Sequence, residues 1–113
     1  MYNNPEILLE DVQSAIEKIL AYTKGLSFEG FTKDEMRIDA VIRNFEIIGE
    51  VASKLSDSFK EAHPDIDWFQ IKGMRNRIVH DYRNVNLFVV WDAIENDLPS
   101  LKTKIAAILK STR

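Results

Sequence analysis

The stretch TKDEMRIDAVIRNFEIIGEVASKL, residues 32–55, decides the fold. Thr32 and Glu35 match a capping box, in which each side chain accepts a hydrogen bond from the backbone N–H of the other residue. The apolar residues that follow recur at steps of three and four, which is the spacing of one face of an α-helix: Ile38, Val41 or Ile42, Phe45, Ile48, Ala52 and Leu55. The stretch therefore predicts a helix of about 24 residues, long enough to span a small domain.

A helix is also predicted before this stretch, from Pro5 to Lys24. Asn4 suits its N-cap and Pro5 its first position, whereas Gly25 suits the left-handed residue that ends a helix. The link between the two helices, residues 26–31, is short and contains two aromatic residues. We therefore expect this link to pack against the core.

Two more long helices are predicted towards the C-terminus. One starts at Asp65 or Asp67, after a short amphipathic turn, and runs to about Val79. The last follows Asn86 as its N-cap and keeps its apolar stripe in phase across Pro99. This continuity favours a kink over a split at the proline, although the proline removes one backbone donor. The pattern predicts an all-α, up-and-down bundle of four long helices and one short helix.

Length and composition narrow the class of protein. A chain of 113 residues, 45% hydrophobic and 29% charged, fits one domain over residues 1–113. The absence of cysteine excludes disulfides, cysteine-based zinc sites and thiol nucleophiles, and only two histidines leave little room for a histidine-rich metal centre. No apolar run approaches the roughly 18 residues of a membrane span, and the N-terminus lacks the pattern of a signal peptide. We expect a cytoplasmic protein that does not bind membranes.

Charge is concentrated in residues 72–83, KGMRNRIVHDYR. Four cations and one acid give this segment a net charge of +3, while the other 101 residues carry −6. A compact basic patch on an acidic protein is suited to bind anions such as RNA phosphates. A solvated helix end explains the same charges, because the helix dipole favours cations at the C-terminus.

His80 makes a catalytic interpretation of this segment possible. Neighbouring cations favour the neutral imidazole, which is a workable base for phosphate-ester chemistry beside a guanidinium that holds the phosphate charge. Arg75, however, precedes His80 by five residues, about 140° around a helix. The two side chains meet within one chain only if the helix ends or distorts between them; otherwise they meet across a dimer.

Residues 75–82, RNRIVHDY, resemble the Arg-x4-His-x-Tyr motif of the HepT-like toxins, which belong to the HEPN superfamily. Residues 43–50, RNFEIIGE, resemble the second-helix segment of that family. Residues 63–68 and 71–74 are similar to the lead-in to its catalytic helix, and residues 90–99 to its last helices. The resemblance covers essentially the whole chain.

The resemblance implies a metal-independent endoribonuclease toxin that acts as a homodimer, with the two motifs facing each other across the interface. By position, His80 would transfer a proton as the RNA 2′-hydroxyl attacks the adjacent phosphate, and Arg75 would stabilise the phosphoryl charge. Asn76 matches the polar residue that supports the site. Three further cations contact RNA phosphates or serve only solubility: Lys72, Arg77 and Arg83.

Tyr82 by itself is typical of a half-buried aromatic residue at the end of a helix. In the toxins that the sequence resembles, this tyrosine is AMPylated by a partner, the minimal nucleotidyltransferase antitoxin. Phosphates beside His80 would add negative charge and block RNA entry. The partner alone would use ATP, so we expect no cofactor in this chain.

Two alternatives to a ribonuclease remain for the chain as a whole. One is a non-catalytic HEPN-type module that binds a nucleotide or the partner, and the other is a purely structural helical dimer.

Other residues have structural interpretations. We predict that His63 is a surface or capping residue. For Asp65 and Asp67, a carboxylate pair and the capping of a helix start are equally simple interpretations. Glu46 and Glu50, one turn apart, either face solvent or pair with the basic patch in the dimer. Two tryptophans fall on apolar stripes and are expected in the core: Trp68 and Trp91.

Overall fold

The computed structural model describes residues 4–79 and 85–112, without the side chains of residues 74, 75, 77 and 79. Over these residues the chain is helical and contains no strand, so the all-α prediction is confirmed. The helices are α1 (Pro5–Thr23), α2 (Phe28–Thr32), α3 (Glu35–Ser53), α4 (Asp57–Ala62), α5 (Trp68–Val79), α6 (Leu87–Asp92) and α7 (Leu98–Thr112). No helix in the described ranges is long and apolar enough to cross a membrane.

The ends of α1 follow from its terminal residues. The Asn4 side chain accepts a hydrogen bond from the backbone N–H of Glu6 at 2.9 Å, and Pro5 occupies the first turn. Gly25 has φ of 78°, in the left-handed region that glycine adopts without a steric penalty. The cap and the stop predicted from the sequence are confirmed, with the last helical residue one position earlier, at Thr23.

The capping box predicted at the start of α3 is wrong. Thr32 belongs to the end of a short helix, α2, and a different residue, Asp34, caps α3. Ser27 accepts from the Gly30 N–H at 3.1 Å and so starts α2, which Thr32 ends. Asp34 then caps α3 by accepting from the Arg37 N–H at 3.1 Å. This bond, with a second from the Arg37 guanidinium, lowers the pKa of Asp34. The cap's contribution is therefore present above the unfolded carboxyl pKa and declines as pH falls through the lower folded value.

The core is built around α3, which packs against both α1 and α5, while α7 packs against α1. Val41, Phe45 and Ile48 on α3 are fully buried, as their periodic spacing predicts. The link before α3 also packs inward, because Phe31 is fully buried and its ring lies 5.3 Å from that of Trp91. We call residues 75–82 the motif segment. Its first residues lie on α5, which is thus held directly against the central helix α3.

The C-terminal helix stays helical through Pro99. A π-helical turn, Ala93–Asp97, joins α6 to α7 without a break, and the stripe of Ile94, Leu98 and Leu101 is buried across it. The π turn lies one turn before the proline, where the proline ring would clash with an ordinary helical carbonyl. The predicted continuity is confirmed, and a π-helical turn accommodates the proline.

Two features differ from the sequence-based expectation. The described chain has two short helices, α2 and α4, where one was predicted. Trp68 and Trp91 are half-buried at the edge of the core instead of inside it. For Trp68 the reason is its indole N–H, which reaches the backbone carbonyl of His63 at 3.1 Å. A residue with one polar end is placed best where that end finds a partner.

Candidate active site

The start of α5 is fixed by the loop before it. The Asp67 side chain accepts from the Gln70 backbone N–H at 2.9 Å, as an N-cap does. The Lys104 ammonium donates to the backbone carbonyl of Asp65 at 2.7 Å and ties this loop to α7. The capping interpretation of Asp67 is confirmed. The loop before α5 is therefore bonded both to the first turn of α5 and to α7, which orients the helix that carries the motif.

The two faces of α5 have different environments. Ile71 and Ile78 are buried, whereas Lys72 and Asn76 are exposed. Arg75 follows Ile71 by four residues and precedes Ile78 by three, so its Cα lies on the stripe of these isoleucines. Asn76 lies on the outer face and makes contacts within the chain. The structure thus brings Arg75 and Asn76 to the same turn of α5, on different sides of it.

Except for Lys72 and Asn76, the candidate site residues have no described side chains. His80, Tyr82 and Arg83 lie outside the described residues, and so do the side chains of Arg75 and Arg77. Their roles in catalysis, modification and RNA binding stay predictions.

A groove of about 420 Å³ lies beside the point where the chain leaves the motif segment. We call it the Arg43 groove; its lining residues are Ile38, Asp39, Ile42, Arg43, Glu46, Val85 and Leu87. The Arg43 side chain is 64% exposed and its guanidinium lies 3.8 Å from the Glu46 carboxylate, whose side chain is only 18% exposed. Glu46 is therefore held within the fold, whereas Glu50 faces solvent. Arg43 was not singled out from the sequence, although its segment carries part of the family resemblance.

The other candidate residues have structural roles. His63 ends α4, and its ring lies 4.5 Å from that of Phe59, which confirms it as a capping residue. Within the described ranges there is no group of three or more histidine, aspartate or glutamate side chains that could hold a metal ion.

Gly73 lies in the middle of α5, where glycine costs about 0.5–1 kcal/mol relative to alanine. A Cβ at this position meets no heavy atom within 4 Å in the described part of the chain. We expect Gly73→Ala to raise the free energy of unfolding by about 0.5–1 kcal/mol, measured by urea titration at fixed protein concentration.

The same substitution at Gly25 provides the control. Because Gly25 has φ of 78°, Gly25→Ala is expected to lower the free energy of unfolding by about 1–2 kcal/mol. A loss of stability in Gly73→Ala would contradict the expectation and indicate that another molecule approaches α5 closely at this position.

The comparisons with known proteins identify the family. The family described as Ribonuclease HepT-like matches residues 12–108, which include the whole of α5 and the motif segment. The chain belongs to the ribonuclease HepT-like family. The resemblance read from residues 75–82 is thereby confirmed, and HepT-like membership supports ribonuclease activity.

Individual HepT-like relatives match nearly end to end. A protein named as a probable ribonuclease HepT, from Thermococcus cleftensis, is 40% identical over 90% of this chain and 93% of its own length. A protein named "putative RNase" from Caldanaerobacter subterraneus subsp. tengcongensis is 35% identical over 96% of this chain and 97% of its own length. Another protein with that name, from Methanocaldococcus jannaschii, is 31% identical over 90% of this chain and 88% of its own length. No solved structure gives a significant match.

Proposed function

We propose that this HepT-like chain is a metal-independent endoribonuclease toxin that acts in the cytoplasm as a homodimer. The observation that carries the proposal is the family match over residues 12–108, which contains Arg75 and His80 at the spacing of the family motif. The chain itself holds no cofactor in this proposal. A minimal nucleotidyltransferase antitoxin uses ATP to AMPylate Tyr82 and so blocks the site.

The chemistry uses three groups on or next to α5. His80 accepts the proton of an RNA 2′-hydroxyl, and the resulting oxygen bonds to the adjacent phosphorus while the bond to the 5′-oxygen breaks. The leaving 5′-oxygen takes a proton from water and His80 returns its proton to the solvent, which leaves a 2′,3′-cyclic phosphate and a free 5′-hydroxyl. Arg75 stabilises the negative charge that develops on the phosphoryl oxygens, and Asn76 supports this geometry.

The helical state of α5 supports a composite site at a dimer interface. The helix continues through Val79, so no break separates Arg75 from the last turn before His80. In an uninterrupted helix these two positions point about 140° apart. Two copies that present their motifs to each other would bring Arg75 of one protomer near His80 of the other. The exposed Lys72 ammonium would then meet RNA phosphates beside the cleavage site, together with Arg77 and Arg83.

The decisive experiment is cleavage of mixed cellular RNA by the purified protein in excess EDTA. The intact mass is measured first, because an AMP adduct on Tyr82 would silence the protein. We expect cleavage, with 2′,3′-cyclic phosphate ends on the products. Absence of cleavage by an unmodified, folded protein would contradict the proposal and favour a non-catalytic HEPN-type module that binds a nucleotide or the partner.

Tyr82→Phe tests the mode of neutralisation. The variant lacks the hydroxyl that accepts the nucleotide, so it should keep its ribonuclease activity in the presence of the nucleotidyltransferase and ATP, whereas the wild type should lose it. The measurements are RNA cleavage and intact mass before and after incubation with the partner. Tyr22→Phe, at a tyrosine on α1, is the matched control and should be silenced like the wild type. Loss of cleavage in unmodified, folded Tyr82→Phe would instead place the hydroxyl in catalysis or RNA binding.

A further inference from the structure

A second groove lies at the other end of α5, near its N-terminus. We call it the Phe69 groove; it has a volume of about 280 Å³ and is lined by Gly49, Ala52, Ser53, Lys60, Trp68, Phe69 and Lys72. These residues come from α3, α4 and α5, so the groove exists only where the three helices meet. The residues that α3 contributes to the lining have small side chains or none.

The Phe69 side chain is the most exposed of the large apolar residues in the described chain. It is 86% exposed, whereas Phe31 and Phe45 are fully buried. A single exposed apolar residue needs no explanation. Here, however, the ring lines the edge of a groove. Its exposed face is a surface on which a planar group can stack.

Charge identifies the kind of planar group. Two lysines line the groove, and none of the described residues that line it is acidic. This local charge of +2 lies on a chain with a net charge of −3. An apolar protein partner would not require two cations beside the aromatic ring. A single-stranded nucleic acid requires both features, because its bases stack on aromatic rings and its phosphates attract cations.

The position of the groove relates it to the motif. Lys72 follows Phe69 by three residues and precedes Asn76 by four, so the three lie along one exposed side of α5. Gly73 lies on the same side, and a Cβ there would meet no heavy atom of the described residues within 4 Å. From Phe69 to Val79 the helix rises by about 15 Å. A strand that follows this side of α5 therefore reaches the motif segment within a few nucleotides.

We propose that the Phe69 groove binds one unpaired nucleotide of the RNA substrate, with its base stacked on the Phe69 ring and its flanking phosphates contacted by Lys60 and Lys72. The inference rests on the proposed ribonuclease function and adds a subsite distant from the cleaved bond. Because stacking accepts every base, the groove selects single-stranded over paired RNA and does not select a sequence.

The test measures binding separately from cleavage. The probe is a short, fluorescein-labelled, single-stranded 2′-O-methyl oligonucleotide, which lacks the attacking hydroxyl, and the readout is fluorescence anisotropy over a series of salt concentrations. We expect Phe69→Ala to weaken binding roughly 5- to 150-fold at every salt concentration, and Phe69→Trp to retain it. Lys60→Gln and Lys72→Gln should each reduce the slope of log K against log salt by about 0.7, whereas Phe69→Ala should leave the slope unchanged.

Matched controls come from exposed residues outside the groove. Met36→Ala removes an apolar side chain that is 84% exposed at the start of α3, and Lys110→Gln removes an exposed charge on α7. Equal affinities of Phe69→Ala and Met36→Ala for the oligonucleotide would overturn the proposal that the Phe69 groove binds a nucleotide. A wild type that does not bind the oligonucleotide would overturn it as well. Dissociation of the homodimer in Phe69→Ala, seen by sedimentation, would also overturn it, because the ring would then contact a second copy.

The outcomes separate this subsite from the proposed function. If the wild type binds the oligonucleotide in a Phe69-dependent manner but cleaves no RNA, the result supports the nucleotide subsite and contradicts the ribonuclease proposal. If the wild type cleaves RNA and Phe69→Ala has unchanged affinity and KM, the result overturns only the nucleotide subsite.

Discussion

Replacement of His80 by alanine is expected to lower the rate of RNA cleavage by about 10²–10⁴-fold, the usual contribution of a positioned acid–base group. The physical reason is that the 2′-hydroxyl is a weak nucleophile until a base removes its proton. The measurement is the single-turnover rate on a defined RNA in excess EDTA. His63→Ala is the matched control, because His63 caps α4 and packs on Phe59, and it should keep the wild-type rate.

Arg75→Ala belongs to the same prediction and should lower the rate by about 10²–10³-fold, as expected when one group that stabilises transition-state charge is removed. Arg75→Lys retains the charge but not the planar guanidinium, so an intermediate loss is expected. Arg37→Ala, at an exposed arginine that pairs with Asp34, is the control. Equal cleavage by the wild type, Arg75→Ala and His80→Ala would indicate a contaminating ribonuclease.

Phe45→Ala should have the largest effect on stability, with a loss of about 3–5 kcal/mol from the free energy of unfolding. Phe45 is fully buried in the middle of α3, which packs on one side against α1 and on the other against α5. Removal of its ring leaves a cavity in the core, which the surrounding helices fill only in part. A loss of this size is a large part of the total stability of a small domain, about 5–15 kcal/mol.

The measurement for Phe45→Ala is urea-induced unfolding at fixed protein concentration, because dimerisation makes apparent stability depend on concentration. Phe69→Ala provides the control. Its side chain is 86% exposed, so its free energy of unfolding should change by less than about 0.5 kcal/mol. An unchanged free energy of unfolding in Phe69→Ala would also show that any loss of RNA binding in this variant is not caused by unfolding. A cost below about 1 kcal/mol for Phe45→Ala would contradict the central position of α3.

The long helices were predictable because their apolar residues repeat over several turns. The stripe through Val41, Phe45 and Ile48 is an example: its spacing predicted burial, and all three are buried. The short helices were harder to predict, because five or six residues do not establish a period. Their N-caps, Ser27 and Ser56, are visible in the sequence, but a serine alone is equally common in a loop.

Only part of the candidate site could be predicted from the sequence. The motif residues Arg75 and His80 came from the sequence, through their spacing and the family resemblance. The position of the Arg75 Cα relative to the buried side of α5 required the structure, because it depends on which other residues of α5 are buried. Arg43 and Phe69 were not predicted as site residues, since nothing in their own segments shows which residues face them across the fold.

The sequence by itself determined the helical class, the buried stripes, most of the long-helix caps and the basic motif segment, because each depends on interactions within a few residues along one helix. Only the tertiary structure decided which exposed residues share a groove. Lys60 and Phe69 belong to different helices, and Gly49 to a third. Their proximity depends on how the helices rotate and cross as they pack, which is set by the fit of side chains far apart in the chain.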